Sequence, residues 1–157
     1  MRLVSKVLSQ DLGANMEQNW VLGKRILLVD DQEGVRKAVR FLLELDGHKI
    51  SEARNGREAF DLFRPKEFDL VITDYLMPEM PGDELAGRIR EIAPAQPILM
   101  ITAYHREYGK LENSVDSVLS KPFSFRDLRA AMSKLLPCVE TAGGSEPTNV
   151  TALQSAA

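Results

Sequence analysis

Apolar residues in this chain follow two alternating spacings. Ile26-Leu27-Leu28-Val29, Leu70-Val71-Ile72 and Pro97-Ile98-Leu99-Met100-Ile101 are short unbroken runs, the pattern of strands covered on both faces. Lys49 to Ala53, with Ile50 and Ala53 as apolar contacts, and Ser117-Val118-Leu119 read as two weaker strands. Between these runs the spacing becomes helical. Val35, Ala38, Val39, Leu42 and Leu45 share a face, and Gly47 stands where a C′ glycine would close the helix. Ala59, Phe60 and Phe63 mark a short helix that stops before Pro65, and Asn55-Gly56 ahead of it reads as a turn. Leu85, Ala86 and Ile89 give a helix ending near Pro94. The polar stretch from Tyr104 to Glu112 predicts a short helix. Phe125, Leu128, Met132, Leu135 and Leu136 form a last stripe closed by Pro137.

Strands and helices that alternate in this way build a parallel sheet with helices on both faces. Right-handed crossovers then favour a doubly wound α/β fold, flavodoxin-like, with five strands in the order 2-1-3-4-5. The fold should occupy residues 24–137. Residues 1–23 read as a frayed or disordered extension, or as a short helix on which Leu3, Val4, Val7, Leu8 and Leu12 would share one face. Trp20 is placed to pack on the domain edge, and Met16 stands close enough to the compact part to serve as its start. Residues 138–157 are small and polar, with Gly143-Gly144 and Pro147, as in a disordered tail.

Composition narrows the function classes. A length of 157 residues suits one domain with a real core. A net charge of −3 disfavours nucleic acid as a direct partner. The single cysteine, Cys138, cannot form an internal disulfide, which fits a cytoplasmic location. No apolar run is long enough for a membrane span.

The chemistry collects where strands end. Asp30 and Asp31 follow the first strand, Asp74 ends the third, Thr102 ends the fourth and Lys121 follows the fifth. In the predicted order the first and third strands are neighbours, so three carboxylates should converge in one cleft at the carboxyl edge. Like charges about 4 Å apart repel by roughly 4 kcal/mol at an effective dielectric of ~20. Lys121 offsets part of this, and a divalent ion such as Mg²⁺, or Mn²⁺ in its place, would offset the rest. Asp74 is then a nucleophile able to accept a phosphoryl group, with Lys121 and the Thr102 hydroxyl on the phosphoryl oxygens. Taken singly, the residues have plainer roles. Asp30 to Glu33 also fits a helix capping box, and Asp74 a turn residue.

Four segments carry a family resemblance: Val29-Asp30-Asp31, Asp74-Tyr75-Leu76-Met77-Pro78-Glu79-Met80-Pro81-Gly82, Ile101-Thr102-Ala103 and Lys121-Pro122-Phe123. With this spacing, residues 24–137 resemble the receiver domain of bacterial two-component response regulators. The resemblance implies that Asp74 receives its phosphoryl group from a sensor histidine kinase. It implies Mg²⁺ bound by Asp30, Asp31, Asp74 and the Leu76 backbone carbonyl, and a cis bond before Pro122. Such a protein is a phosphoacceptor rather than an enzyme on other substrates. It catalyses only its own phosphorylation and dephosphorylation. About twenty residues follow Pro137, too few for a helix-turn-helix unit. The expectation is a stand-alone switch, monomeric or weakly dimeric when phosphorylated, that binds a downstream protein. The alternatives are a phosphorelay intermediate that passes the group to a histidine phosphotransfer protein, and a phosphorylation-independent scaffold.

This sequence departs from the family in three places. Val118 stands where a switch aromatic is usual, three residues before Lys121. The interval from Thr102 to Lys121 is short, which implies a shortened fourth helix and a remodelled output face. Leu76 and Tyr104 occupy positions that gate the attacking water, so slow self-dephosphorylation is expected. Two other classes on the same sheet fit less well. An aspartate-nucleophile phosphatase needs an acid two residues after its nucleophile, where Gln32 stands, and a flavin phosphate would be repelled by Asp30 and Asp31.

Overall fold

The computed structural model describes residues 21–103 and 114–136. It contains β1 (Arg25–Val29), α1 (Glu33–Leu45), β2 (Lys49–Ala53), α2 (Gly56–Leu62), β3 (Leu70–Asp74), α3 (Gly82–Ile92), β4 (Ile98–Thr102), β5 (Ser117–Ser120) and α4 (Phe125–Leu135). All strand pairs are parallel and the order is β2-β1-β3-β4-β5, as the alternation of spacings requires. The helix expected from Tyr104 to Glu112, and the positions of Trp20, Pro137 and Cys138, lie outside the described residues.

Each buried strand supplies two cores because its side chains alternate between faces. Leu27, Val29, Val71 and Met100 point towards α2 and α3, where Ala59, Phe63, Leu85 and Ile89 meet them. Ile26, Leu28, Ile72 and Leu99 point to the other face and pack on Val39 and Leu43 of α1 and Leu128 and Met132 of α4. Val21, ahead of β1, is buried in this second cluster. Leu70, Val71 and Ile72 of the central strand are wholly buried. Burial of a side chain of this size is worth about 1.5–3 kcal/mol.

The helix ends follow local chemistry. Gly47, at φ +72°, closes α1 in the expected way. Its N–H donates to the Glu44 carbonyl at 2.9 Å, and the His48 N–H reaches the Leu43 carbonyl at 3.3 Å, which together form a Schellman motif. Ser124 and Asp127 form a capping box at the start of α4. Asn55-Gly56 is not a free-standing turn. The Asn55 Oδ1 accepts from the Glu58 N–H at 2.8 Å, so Asn55 caps α2 and Gly56 is its first residue. A Cβ on Gly56 would lie 2.5 Å from the Met80 carbonyl oxygen, so this position holds a close approach rather than a bend. The capping box considered at Asp30 to Glu33 does not form. The N-cap of α1 is Gln32, with no side-chain bond, and Glu33 pairs with Lys37.

Because Asn55 is a cap, Asn55→Ala should lower stability by about 1 kcal/mol in chemical denaturation, while Asn55→Asp should lose little of it.

Candidate functional site

The carboxyl edge of the sheet is assembled by strand register. Val29 pairs with Thr73, Asp74 with Ile101, and Thr102 with Ser120. This ladder lines up the residues that end the strands, so Asp30, Asp74, Thr102 and Lys121 come to one edge although they are distant in sequence. Asp30, Asp74 and Thr102 are buried, at 5%, 7% and 2% exposure. The Lys121 N–H donates to the Thr102 carbonyl at 2.8 Å, which fixes the start of the loop after β5. The Lys121–Pro122 peptide is cis.

Lys121 Nζ lies 2.9 Å from Asp74 Oδ1 and 3.4 Å from Asp30 Oδ2. One ammonium therefore serves two buried carboxylates. Asp30 is held further through Oδ1, which accepts the Gln32 N–H at 2.8 Å. The expected convergence of three carboxylates is only partly realised. Asp31 is exposed, and among the described residues no three acidic, histidine or cysteine side chains form a ready-made metal cluster. Asp31 is exposed to solvent while Asp30, its neighbour, is buried. Lys121 takes the space between the two inner acids.

Burial pushes the Asp74 carboxyl pKa above its usual value. The Lys121 hydrogen bond and charge oppose that shift, and the Asp30 charge adds to it. Burial alone would lower the Lys121 pKa, but the hydrogen bonds and charges of Asp74 and Asp30 outweigh it and leave it raised. The ammonium is thus held charged beside a carboxylate that the fold makes easier to protonate.

The donor set suits Mg²⁺. This ion keeps several waters and needs only one or two carboxylates beside a phosphate oxygen. Asp30 and Asp74 share one compensating charge between them, so the cleft retains negative charge to attract a cation. Leu76 follows in the loop after β3 and is 48% exposed. Tyr104 lies outside the described residues.

The backbone around Asp74 is tightly held. Thr73 Oγ1 donates to the Asp74 carbonyl at 3.0 Å, and the Gly82 N–H donates to the Tyr75 carbonyl at 2.8 Å. A Cβ on Gly82 would sit 2.1 Å from the Asp74 carbonyl oxygen, so only glycine lets α3 begin this close to the acid. Sequence reasoning placed this glycine in the loop without giving it that role. It also missed Arg36, 8% exposed, whose Nη1 donates to the Asp30 carbonyl at 2.7 Å. The signal was present, because Arg36 lies on the same helical face as the buried Val39 and Leu43. A cavity lined by Pro65, Phe68, Ile92, Pro97 and Leu136 lies at the opposite, amino edge of the sheet, away from these acids.

Lys121→Met should raise the Asp74 pKa further, because the two effects that lower it most are removed. Carboxyl carbon NMR across a pH series would read this as a midpoint displaced to higher pH.

Residues 26–133 match the response regulator receiver domain. The chain is 33% identical over 127 residues to the alkaline phosphatase synthesis transcriptional regulatory protein PhoP of Bacillus subtilis, covering 79% of this chain and 53% of that protein. It is 36% identical over 121 residues to the phosphate regulon transcriptional regulatory protein PhoB of Pseudomonas aeruginosa, covering 74% and 53%. The chain thus spans about half the length of these curated relatives. Among solved structures, the response regulator TrrA of Thermotoga maritima in complex with Mg²⁺–BeF matches with a TM-score of 0.68 and 38% identity, over 72% of this chain and 99% of that one. The chemotaxis protein CheY4 of Vibrio cholerae matches with a TM-score of 0.67 and 30% identity, over 74% and 100%. With the fold, the strand-end residues and these similarities in agreement, the chain belongs to the response regulator receiver domain family.

Proposed function

We propose that Asp74 accepts a phosphoryl group from a sensor histidine kinase and that the domain changes its affinity for a downstream protein as a result. The observation that carries this reading is Lys121 Nζ, 2.9 Å from Asp74 Oδ1 and shared with Asp30. An ammonium held there can turn to a phosphoryl oxygen as soon as one replaces the carboxylate charge. A bound Mg²⁺, held by Asp30, Asp31, Asp74 and the Leu76 carbonyl, would neutralise charge on the transferring group.

In the proposed step an Asp74 oxygen attacks phosphorus, the bond from phosphorus to the donor nitrogen breaks, and the electron pair returns to the donor. The Gln32 N–H and Lys121 both donate to Asp30 and hold its carboxylate in place. The Thr102 hydroxyl, buried at the end of β4, would donate to a phosphoryl oxygen. That bond would draw the end of β4 inward and alter the surface beyond it. The protein works as a phosphoacceptor and catalyses only changes to its own phosphorylation. In this reading the receiver acts as a stand-alone switch, with Asp30, Asp74, Thr102 and Lys121 all carried at one edge of a single sheet. Among these residues no helix is long and apolar enough to cross a membrane.

Incubation with acetyl phosphate and Mg²⁺ should add one phosphoryl group to the intact mass of the wild type and none to Asp74→Ala. Equal gain in both would place the chemistry elsewhere. The half-exposed Leu76 offers no hydrogen bond to an attacking water. The phosphoryl group should therefore persist for minutes or longer, and Leu76→Asn should shorten its lifetime several-fold. Loss within seconds from the wild type would contradict this.

A further inference from the structure

The β1–β3 ladder ends at Val29, opposite Thr73. The Asp30 N–H still reaches the Ala53 carbonyl at 3.3 Å, but the next peptide, which joins Asp30 to Asp31, lies past the last sheet register. Its carbonyl is taken by Arg36 Nη1 at 2.7 Å, from the first turn of α1. Arg36 Nε also donates to Glu52 Oε1 of β2 at 3.2 Å. The other Glu52 oxygen accepts from Arg40, which in turn pairs with Glu44. The guanidinium is thus gripped from β2 and α1 and presents one N–H to a single backbone oxygen.

We propose that Arg36 is a positioning residue for the metal site: its bond to the Asp30 carbonyl fixes the peptide that aims Asp30 inward and Asp31 at the rim. This rests on the Mg²⁺ site of the proposed function and deepens it. The argument turns on why an arginine stands here at all. Its side chain is 10% exposed and shares a face with Val39 and Leu43. An apolar residue of similar length would pack against the sheet at lower desolvation cost, since replacing a buried ion pair by packed apolar groups is often neutral or better for stability. An apolar residue would leave the Asp30–Asp31 peptide without its donor. Metal sites depend strongly on such supporting bonds, whose loss costs about 10–100-fold in metal affinity or activity.

Lysine is a poor replacement. It carries a point charge on a shorter reach and cannot bond the carbonyl and Glu52 together in a fixed fork. Arg36 touches neither Asp74 nor Lys121 through any bond described above. Its loss should therefore change how much Mg²⁺ is needed and leave the chemistry at saturating Mg²⁺ close to normal.

The test compares full-length wild type, Arg36→Met, Arg36→Lys and Asp74→Asn. Mg²⁺ affinity is measured directly by isothermal calorimetry, and the rate of acetyl-phosphate labelling is followed against Mg²⁺ concentration. Arg36→Met should weaken Mg²⁺ binding by about tenfold and shift the labelling curve equally, with its plateau within about twofold of wild type. Arg36→Lys should fall between the two. A merely structural arginine would lower the melting temperature without moving the Mg²⁺ midpoint, and that result would overturn the proposal. Should Arg36→Met not fold, Arg36→Lys decides, and an Mg²⁺ affinity equal to wild type overturns the proposal. Wild type that binds no Mg²⁺ and takes no phosphoryl group would overturn the functional reading and this inference with it. Normal wild-type labelling with unmoved Arg36 variants would overturn this inference alone.

Discussion

The Lys121 ammonium holds two carboxylates, Asp74 and Asp30, that would otherwise repel one another at a largely buried edge. Either acid buried alone would carry a desolvation penalty of several kcal/mol, and a cation shared between them offsets part of it. Lys121 lies 47 residues from Asp74 and 91 from Asp30, so this contact exists only once β5 has joined a sheet whose centre is β1 and β3. The strand order is thus a condition of the chemistry. Burial raises the Asp74 pKa, and the hydrogen bond and charge of Lys121 work against that rise.

Around this contact the backbone is fixed by close approaches. α3 begins at Gly82, against the Asp74 carbonyl, and α2 begins at Gly56, against the Met80 carbonyl. The loop between Asp74 and Gly82 is closed at one end by the Tyr75–Gly82 bond and packed in the middle by Met77 and Met80. Asp74 therefore stands on a rigid platform, with its carbonyl, its neighbours and its counter-ion each held by a separate element. On the α2–α3 side of the sheet, half-buried Val118 packs against the same core cluster. A side chain committed to packing there is poorly suited to the large swing of an exposed aromatic.

Arg36 illustrates how the two sides of the sheet cooperate. The core made with α1 and α4 is apolar except for a few paired groups, among them Arg36 with Glu52 and Asp46 with Arg129. The Asp46–Arg129 pair ties α1 to α4, with the guanidinium stacked over Phe125. It fastens two helices together, whereas Arg36 reaches from a helix to the end of the strand that carries Asp30.

Much of this was legible in the sequence. The short unbroken apolar runs and the helical spacings gave five strands and four of the helices in order, because a strand buried on both faces and a helix buried on one leave different apolar patterns. The parallel order followed from alternation and handedness, and the strand-end residues followed from the order. Local signals worked where one residue type has one physical use, as with Gly47 at a helix end. They failed at Asn55-Gly56, whose dipeptide suits a turn or a cap equally until Met80 is known to press against it. Only the tertiary structure decided that two carboxylates, not three, share Lys121, and that Gly82 and Arg36 hold the ends of β3 and β1. Those are contacts between side chain and backbone across elements. They are set by the register of β1, β3 and β5 and the seating of α1 and α3, none of which leaves a periodic trace along the chain.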